Sequence, residues 1–248
     1  MSAGDLEWRV EALCVAARPA LVREIVDGWA MGRSGGRMRQ ANCVNPMPDP
    51  RGDALAAIVR GETFYEACGQ TPLFRVPGIA DEMDAELDLL GYGAEGQTVT
   101  LFNPLEAPTA ENAGTVLLAG PENSWCAARA RFGGDTARND AAYRKMVKSI
   151  ALPKIFAATH VGDSIASIAY GVVGDGLLVL ESVATDAEFR GQGLARRTLQ
   201  TVIAWSRSAG AQAACLQVEV ENAPARALYA SLGFRRRLYG YHYRRRPA

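Results

Sequence analysis

A glycine-rich turn between a buried strand and an amphipathic helix constrains this chain more than any other feature. Residues 176–184 are almost uniformly apolar, as in a strand covered on both faces of a sheet. After a short loop come Arg190-Gly191-Gln192-Gly193-Leu194-Ala195. A helix then begins, with Ala195, Leu199, Val202, Ile203 and Ser206 on one face and Arg196, Arg197, Gln200 and Arg207 on the other. Glycines let the backbone turn tightly, and N–H groups at the positive end of a helix bind phosphate. One such dipole interaction contributes only about 0.3–1 kcal/mol at an exposed site, so several donors must converge.

The residues after the glycines exclude two other phosphate loops. A nucleoside triphosphate loop needs Lys-Ser/Thr after its last glycine, and none is present. A dinucleotide fingerprint needs a third glycine where Arg196 stands, and an acid about twenty residues on, where Gln212 and its neighbours offer none. The remaining readings are a pyrophosphate loop for an acyl-CoA and an ordinary tight turn.

The remainder of the chain sets the frame. With 248 residues, 48% of them hydrophobic, it is long enough for one large domain or two small ones and apolar enough to bury a core. The net charge of zero hides an asymmetry. From position 190 onward there are eleven arginines against two acids, Glu219 and Glu221, which favours an anionic ligand at that end. Five cysteines without a CxxC pair read as free thiols in a reducing cytoplasm, and no apolar stretch reads as a membrane span. Residues 101–122, rich in Pro, Gly and Asn, read as a connection between two halves.

Before that connection, 8–14 alternates like a strand. Residues 28–33 and 37–44 read as a hairpin around Ser34-Gly35-Gly36, and 55–67 and 82–90 as helices. After it come a helix over 137–150, antiparallel strands over 155–159 and 164–173, and a strand over 213–220. Asn222 caps a short helix with Pro224 in its first turn, and 234–243 supplies the last strand.

The stretch 183–195 resembles the signature of the GNAT superfamily of N-acetyltransferases, and its second block also appears at the right distance: Asn222-Ala223-Pro224-Ala225-Arg226-Ala227-Leu228-Tyr229, then Leu232-Gly233-Phe234. Asp27-Gly28-Trp29, the segment 39–46 and Tyr241-His242-Tyr243-Arg244 are similar to a bacterial subgroup in which a degenerate GNAT-like half precedes the catalytic one. The resemblance implies an α/β fold of tandem GNAT-like mixed, mostly antiparallel sheets with flanking helices. It divides the chain into a degenerate domain over 1–110 and a catalytic domain over 111–248. It implies acetyl-CoA as cosubstrate, its pantetheine arm on backbone groups of Val183, Ala184 and Thr185. The pyrophosphate would lie on Arg190, Gly191, Gln192, Gly193, Leu194 and Ala195. Asn222 matches a residue steadying the lower arm, and Tyr229 one beside the thioester sulfur.

Acyl transfer to an amine makes its own demands. An amine of lysine-like pKa is neutral in only about one molecule in 2,000–3,000 at pH 7, so a general base is useful. Glu181 is the preferred candidate, as the one charged residue in 177–184, where burial would raise its pKa. The other reading makes it a structural carboxylate paired with an arginine. Gln217 occupies a position where some relatives carry an acid but cannot take a proton, which leaves Glu219 as the fallback. Tyr229 is the candidate acid for the thiolate, against a core tyrosine with a satisfied hydroxyl. Trp29 and 39–46 either line the acceptor site or pack within the first half. His160 and His242 lack partners at metal-ligand spacing, so no metal is expected. The expected acceptor is a small-molecule or peptide amine. The alternatives are an acyl-CoA-binding sensor without turnover and, more weakly, a nucleic-acid module using the arginine tail.

Overall fold

A computed structural model describes residues 3–106, 112 and 114–246 of the chain. The boundary expected at 110/111 lies outside the described residues.

The chain opens with helix α1 (Ala3–Ala17), in place of the strand expected over 8–14. Val10, Leu13, Cys14 and Ala17 are buried, and their spacing of three, four and seven is the helical one. The alternation in 8–14 is a short-window accident of that pattern. Strands β1 (Val22–Val26) and β2 (Trp29–Arg33) follow as a two-residue hairpin. Its turn residues Asp27 and Gly28 have φ of 47° and 77°, the double positive φ that Asp-Gly tolerates best. The hairpin expected around Ser34-Gly35-Gly36 is therefore corrected. Residues 39–41 form a 3₁₀ turn, and the strand that pairs with β2 on that side is β3 (Val44–Pro46).

Helix α2 (Ala54–Glu66), capped by Asp53, and the short α3 (Asp84–Leu89) bracket β4 (Leu73–Pro77), and β5 (Gly93–Asn103) follows. Beyond the connection come β6 (Thr115–Leu118), α4 (Asn123–Gly133) and α5 (Ala137–Lys148). Strands β7 (Lys154–Val161), β8 (Ser164–Gly174) and β9 (Leu177–Thr185) form a meander. Helix α6 (Leu194–Ser208), β10 (Ala213–Glu219), α7 (Ala223–Ser231) and β11 (Arg236–Arg245) complete the chain.

Among the described residues all eleven strands join one sheet, in the order β1-β2-β3-β4-β11-β5-β10-β9-β8-β7-β6. Of its pairings, β3/β4 and β9/β10 are parallel and the others antiparallel. The fold is thus a mixed, mostly antiparallel sheet with flanking helices. The last strand, β11, inserts between β4 and β5, so the end of the chain is built into the part of the sheet made by its beginning.

Side chains alternate across the sheet as strand geometry requires. In β8, Ile168, Tyr170 and Val172 face a core shared with α1, α4 and α5, including Trp125 and Tyr143. Ala169 and Val173 face the opposite core, under α6, with Leu199, Val202 and Ile203. A Cβ at Gly171 would stand 2.6 Å from Val202 Cγ1, so glycine here lets α6 lie close on the sheet. A third core, with Met31, Ile58 and Phe74, seats α2 on β2–β4.

Candidate functional site

The parallel pair β9/β10 stays in register only from Leu177↔Ala213 to Leu180↔Leu216. Beyond that point β9 keeps its outer neighbour as far as Thr185↔Ser167, and β10 keeps its own as far as Glu219↔Thr98. The two strands therefore part, leaving a wedge in mid-sheet. A β-bulge lies where they part. Two residues of β9, Ser182 and Val183, oppose the single Ala169 of β8, and Ser182 sits at φ 49°. Bulges bend a strand and increase its twist, which re-aims 183–185 away from β10. The Tyr143 and Ser182 hydroxyls hydrogen-bond at 2.8 Å and tie this strained residue to α5. Val183, Ala184 and Thr185 line the wedge half-buried, with Thr185 Oγ1 donating to Ser167 Oγ at 3.1 Å.

At the end of β9 a 3₁₀ turn, Ala187–Phe189, leads into the glycine loop. Gly191 and Gly193 have φ of 77° and 73°, the left-handed region that glycine enters without cost. The backbone N–H groups of Arg190, Gly191, Gln192, Gly193, Leu194, Ala195 and Arg196 donate to no described residue; the first intrahelical bond is Arg197 N–H to Gly193 O, at 3.2 Å. Ideal Cβ positions at Gly191 and Gly193 meet nothing within 4 Å. A run of open donors at the positive end of a fifteen-residue helix fits a pyrophosphate. Arg190 and Arg197 are exposed beside it and make no ion pair with a described residue.

Glu181 is the last β9 residue before the bulge and is only 6% exposed. Arg18, just past the end of α1, reaches it: Arg18 Nη2 lies 3.1 Å from Glu181 Oε1. This is an ion pair without hydrogen-bond alignment, because Oε1 has no hydrogen-bond partner among the described residues. Burial raises the Glu181 pKa above the ordinary carboxylate value and outweighs the opposing pull of Arg18 and of the Ser182 N–H. Arg18 Nη2 also donates to Gln217 Oε1 on β10 at 2.5 Å, as does the Tyr241 hydroxyl at 3.3 Å. One guanidinium from the N-terminal side thus bridges β9 and β10 where they part. Glu219, two residues along the same face, lies at the rim and pairs with Arg39 at 2.6 Å, its side chain more than half exposed.

Tyr229, on α7, is 7% exposed and packs against Phe234. Its hydroxyl has no hydrogen-bond partner among the described residues. Six of the eight tyrosines, residues 65, 92, 143, 170, 239 and 241, do have one. Burial and the negative charge of Glu181 push its pKa up to about 12. Asn222 is exposed and caps α7, its Oδ1 accepting from Ala225 N–H at 3.1 Å.

From the first half, Trp29 belongs to the core, and its Nε1 donates to Gly52 O at 3.2 Å. The 39–46 segment behaves differently. Gln40 and Asn45 are buried and line a cavity of about 280 Å³ whose wall includes Arg18. Arg18 is the site residue that the sequence does not single out, since nothing local distinguishes an arginine ending a helix before Pro19. The last three arginines are ion-paired within the fold: Arg244 with Asp84 and Asp88, Arg245 with Glu95 and Arg246 with Glu62. Among the described residues no cluster of three His, Cys, Asp or Glu side chains could hold a metal, and no helix is long and apolar enough to cross a membrane.

Residues 8–246 match the family described as "Probable histone acetyltransferase Rv0428c C-terminal". The chain belongs to this family. It is a member of the GNAT group of N-acetyltransferases. It is 24% identical over 243 residues to the uncharacterized N-acetyltransferase YobR of Bacillus subtilis (strain 168), covering 95% of this chain and 97% of that one. In fold it is similar to a GCN5-related N-acetyltransferase from Kribbella flavida, with a TM-score of 0.70, 14% identity and coverage of 97% and 95%. A tandem GNAT protein from the clavulanic acid biosynthesis pathway aligns with a TM-score of 0.58 at 12% identity, over 83% of this chain and 74% of that one. At such identities the structural matches establish the fold.

Proposed function

We propose that the chain is an acetyl-CoA-dependent N-acetyltransferase that carries an acetyl group to a primary amine by direct attack in a ternary complex. The observation that carries this reading is the wedge between β9 and β10, which opens beside seven N–H groups that the described residues leave open at the start of α6. In this reading 190–195 hold the pyrophosphate through backbone donors, Val183, Ala184 and Thr185 receive the pantetheine arm along the freed edge of β9, and Asn222 supports its lower end.

The thioester supplies an electrophilic carbonyl with a thiol leaving group. Glu181 takes the proton from the attacking amine; burial raises its pKa above the ordinary carboxylate value and so makes it a stronger base than an exposed carboxylate. Backbone N–H groups around Val183 stabilise the negative charge that develops on the carbonyl oxygen. The C–N bond forms, the C–S bond breaks, and Tyr229 gives its proton to the departing sulfur. Its unpartnered hydroxyl supports that role over a core one, and a pKa near 12 keeps it protonated until needed. Proton exchange with solvent returns Glu181 and Tyr229 to their starting states.

We assign 1–110 as a degenerate GNAT-like half without a phosphate loop, and 111–248 as the half that carries the chemistry. Arg18 and the 39–46 segment then supply the acceptor-side wall. A thiol-release assay over a panel of primary amines tests the proposal. Amine-dependent release that disappears without acetyl-CoA is the expected result; release indifferent to every amine would sink it.

A further inference from the structure

The cavity behind Arg18 is built unlike a packing void. It lies between α1 and β2–β3, with a volume of about 280 Å³, room for roughly nine water-sized groups. Voids that proteins leave empty are apolar, and buried polar groups are almost always hydrogen-bonded. Here Gln40, 4% exposed, has neither its amide oxygen nor its amide nitrogen bonded among the described residues, and Asn45, 6% exposed, leaves its Oδ1 unbonded. Each such unsatisfied group carries a desolvation cost that a bound polar molecule would relieve.

The charges around the cavity are unequal. Glu11 in its wall is neutralised by Arg75 behind it, which bonds both carboxylate oxygens, and by the Tyr239 hydroxyl at 2.6 Å. Arg18 is matched by Glu181. Arg23, exposed at the mouth with Nη2 3.0 Å from Met47 Sδ, makes no ion pair with a described residue. The cavity therefore presents at its mouth a cation without an ion pair among the described residues, in its wall two buried amides with unpartnered atoms, and at its inner end the guanidinium that contacts the candidate base.

From this arrangement we infer that the cavity is the acceptor site, and that the acceptor is a small amine that also carries a carboxylate. Arg23 takes the carboxylate, Gln40 and Asn45 hydrogen-bond the polar groups of the molecule, and the amine is presented past Arg18 toward Glu181. The space holds roughly nine water-sized groups, enough for a small amino acid, and the carboxylate that Arg23 would take is one that a protein side-chain amine does not carry.

The inference rests on the acyl-transfer reading, so the two are tested apart. Binding of acetyl-CoA is measured first by calorimetry on the full chain. The same protein, with and without CoA, is then titrated with glycine, L-alanine, L-serine, β-alanine and γ-aminobutyrate, each beside its amide, and KM for each is obtained by thiol release. At least one free acid should bind about tenfold or more tightly than its amide, as expected for losing one charge-assisted hydrogen bond. Arg23→Gln, a surface change, should erase that difference. Gln40→Leu should raise KM for acid and amide alike by about tenfold while leaving acetyl-CoA affinity unchanged. Equal binding of acids and amides, wild-type KM in both variants, or no binding of any of these amines to a protein that does bind acetyl-CoA would overturn the acceptor assignment. Failure to bind acetyl-CoA would instead overturn the transferase reading.

Discussion

Arg18 Nη2 stands 3.1 Å from Glu181 Oε1, joining the end of the first helix to the strand that turns away at the wedge. The pair crosses from the part of the chain without a glycine loop to the part that has one. A candidate base set this way is tuned by a residue distant in sequence. Its desolvation comes from the sheet, and its countercharge from α1.

This coupling gives Glu181 a testable pH signature. The carboxylate is the working form, so activity rises with pH through the Glu181 pKa, which burial holds above the ordinary carboxylate value. Arg18 pulls that pKa down, and Arg18→Gln should therefore move the acid limb of kcat/KM to higher pH and lower the rate at every pH on that limb. A pH–rate profile decides: a limb that stays in place would mean that Glu181 is not the titrating group.

Tyr229→Phe removes a hydroxyl that has no hydrogen-bond partner among the described residues and little else, since the ring keeps its packing against Phe234. We expect kcat to fall by about 100-fold, at the low end for general acid catalysis, with acetyl-CoA affinity nearly unchanged. Steady-state kinetics beside calorimetry separate the two. Unchanged turnover would return Tyr229 to the core.

The loop glycines are needed for conformation rather than for space. Gly193 has φ 73° and open surroundings, so Gly193→Ala meets no clash but is forced into the left-handed region, at a cost of about 1–2 kcal/mol. Either the fold loses that stability or the loop relaxes and its donors diverge. The expected readout is weaker acetyl-CoA binding by about tenfold or more, with the far-ultraviolet circular dichroism retained. Wild-type affinity would remove the loop from the cofactor site.

Glu11 and Arg75 form a buried pair, neither side chain more than 3% exposed. Desolvation alone would raise the Glu11 pKa, but the charge of Arg75 and the hydrogen bonds from Arg75 and Tyr239 outweigh it and the pKa is lowered. A carboxylate with a depressed folded pKa contributes stability above its unfolded value, near 4.5, and that contribution is lost as pH falls through the folded value. Glu11→Gln leaves Arg75 buried without its counter-ion and should cost about 3–5 kcal/mol. Urea unfolding at about pH 7 checks the loss, and repeating it at decreasing pH should show the variant's deficit shrinking. A deficit independent of pH would contradict the assignment.

The second half is largely legible in the sequence because its signals are local. The helix over 194–208 declares itself by amphipathic spacing, and Asn222 and Pro224 mark the start of α7. The first half misleads where short windows are read. Val10, Leu13, Cys14 and Ala17 give a helical face only when the whole of 3–17 is taken together, and Ser34-Gly35-Gly36 is more conspicuous than the Asp27-Gly28 turn that the fold uses. The candidate site divides along the same line. Gly191, Gly193, Glu181 and Tyr229 lie in recognisable patterns, whereas the contacts of Arg18 with Glu181 and Gln217 exist only because the sheet brings distant segments together. Likewise, the position of β11 between β4 and β5 comes from pairing across the whole chain, which no periodicity encodes.

The central claim is tested most directly by calorimetric titration of the purified protein with acetyl-CoA and with desulfo-CoA. Saturable one-site binding of both, weakened together by Gly193→Ala, is the result predicted for a cofactor held by its pyrophosphate at 190–195. Absence of binding by either ligand would contradict the account at its base.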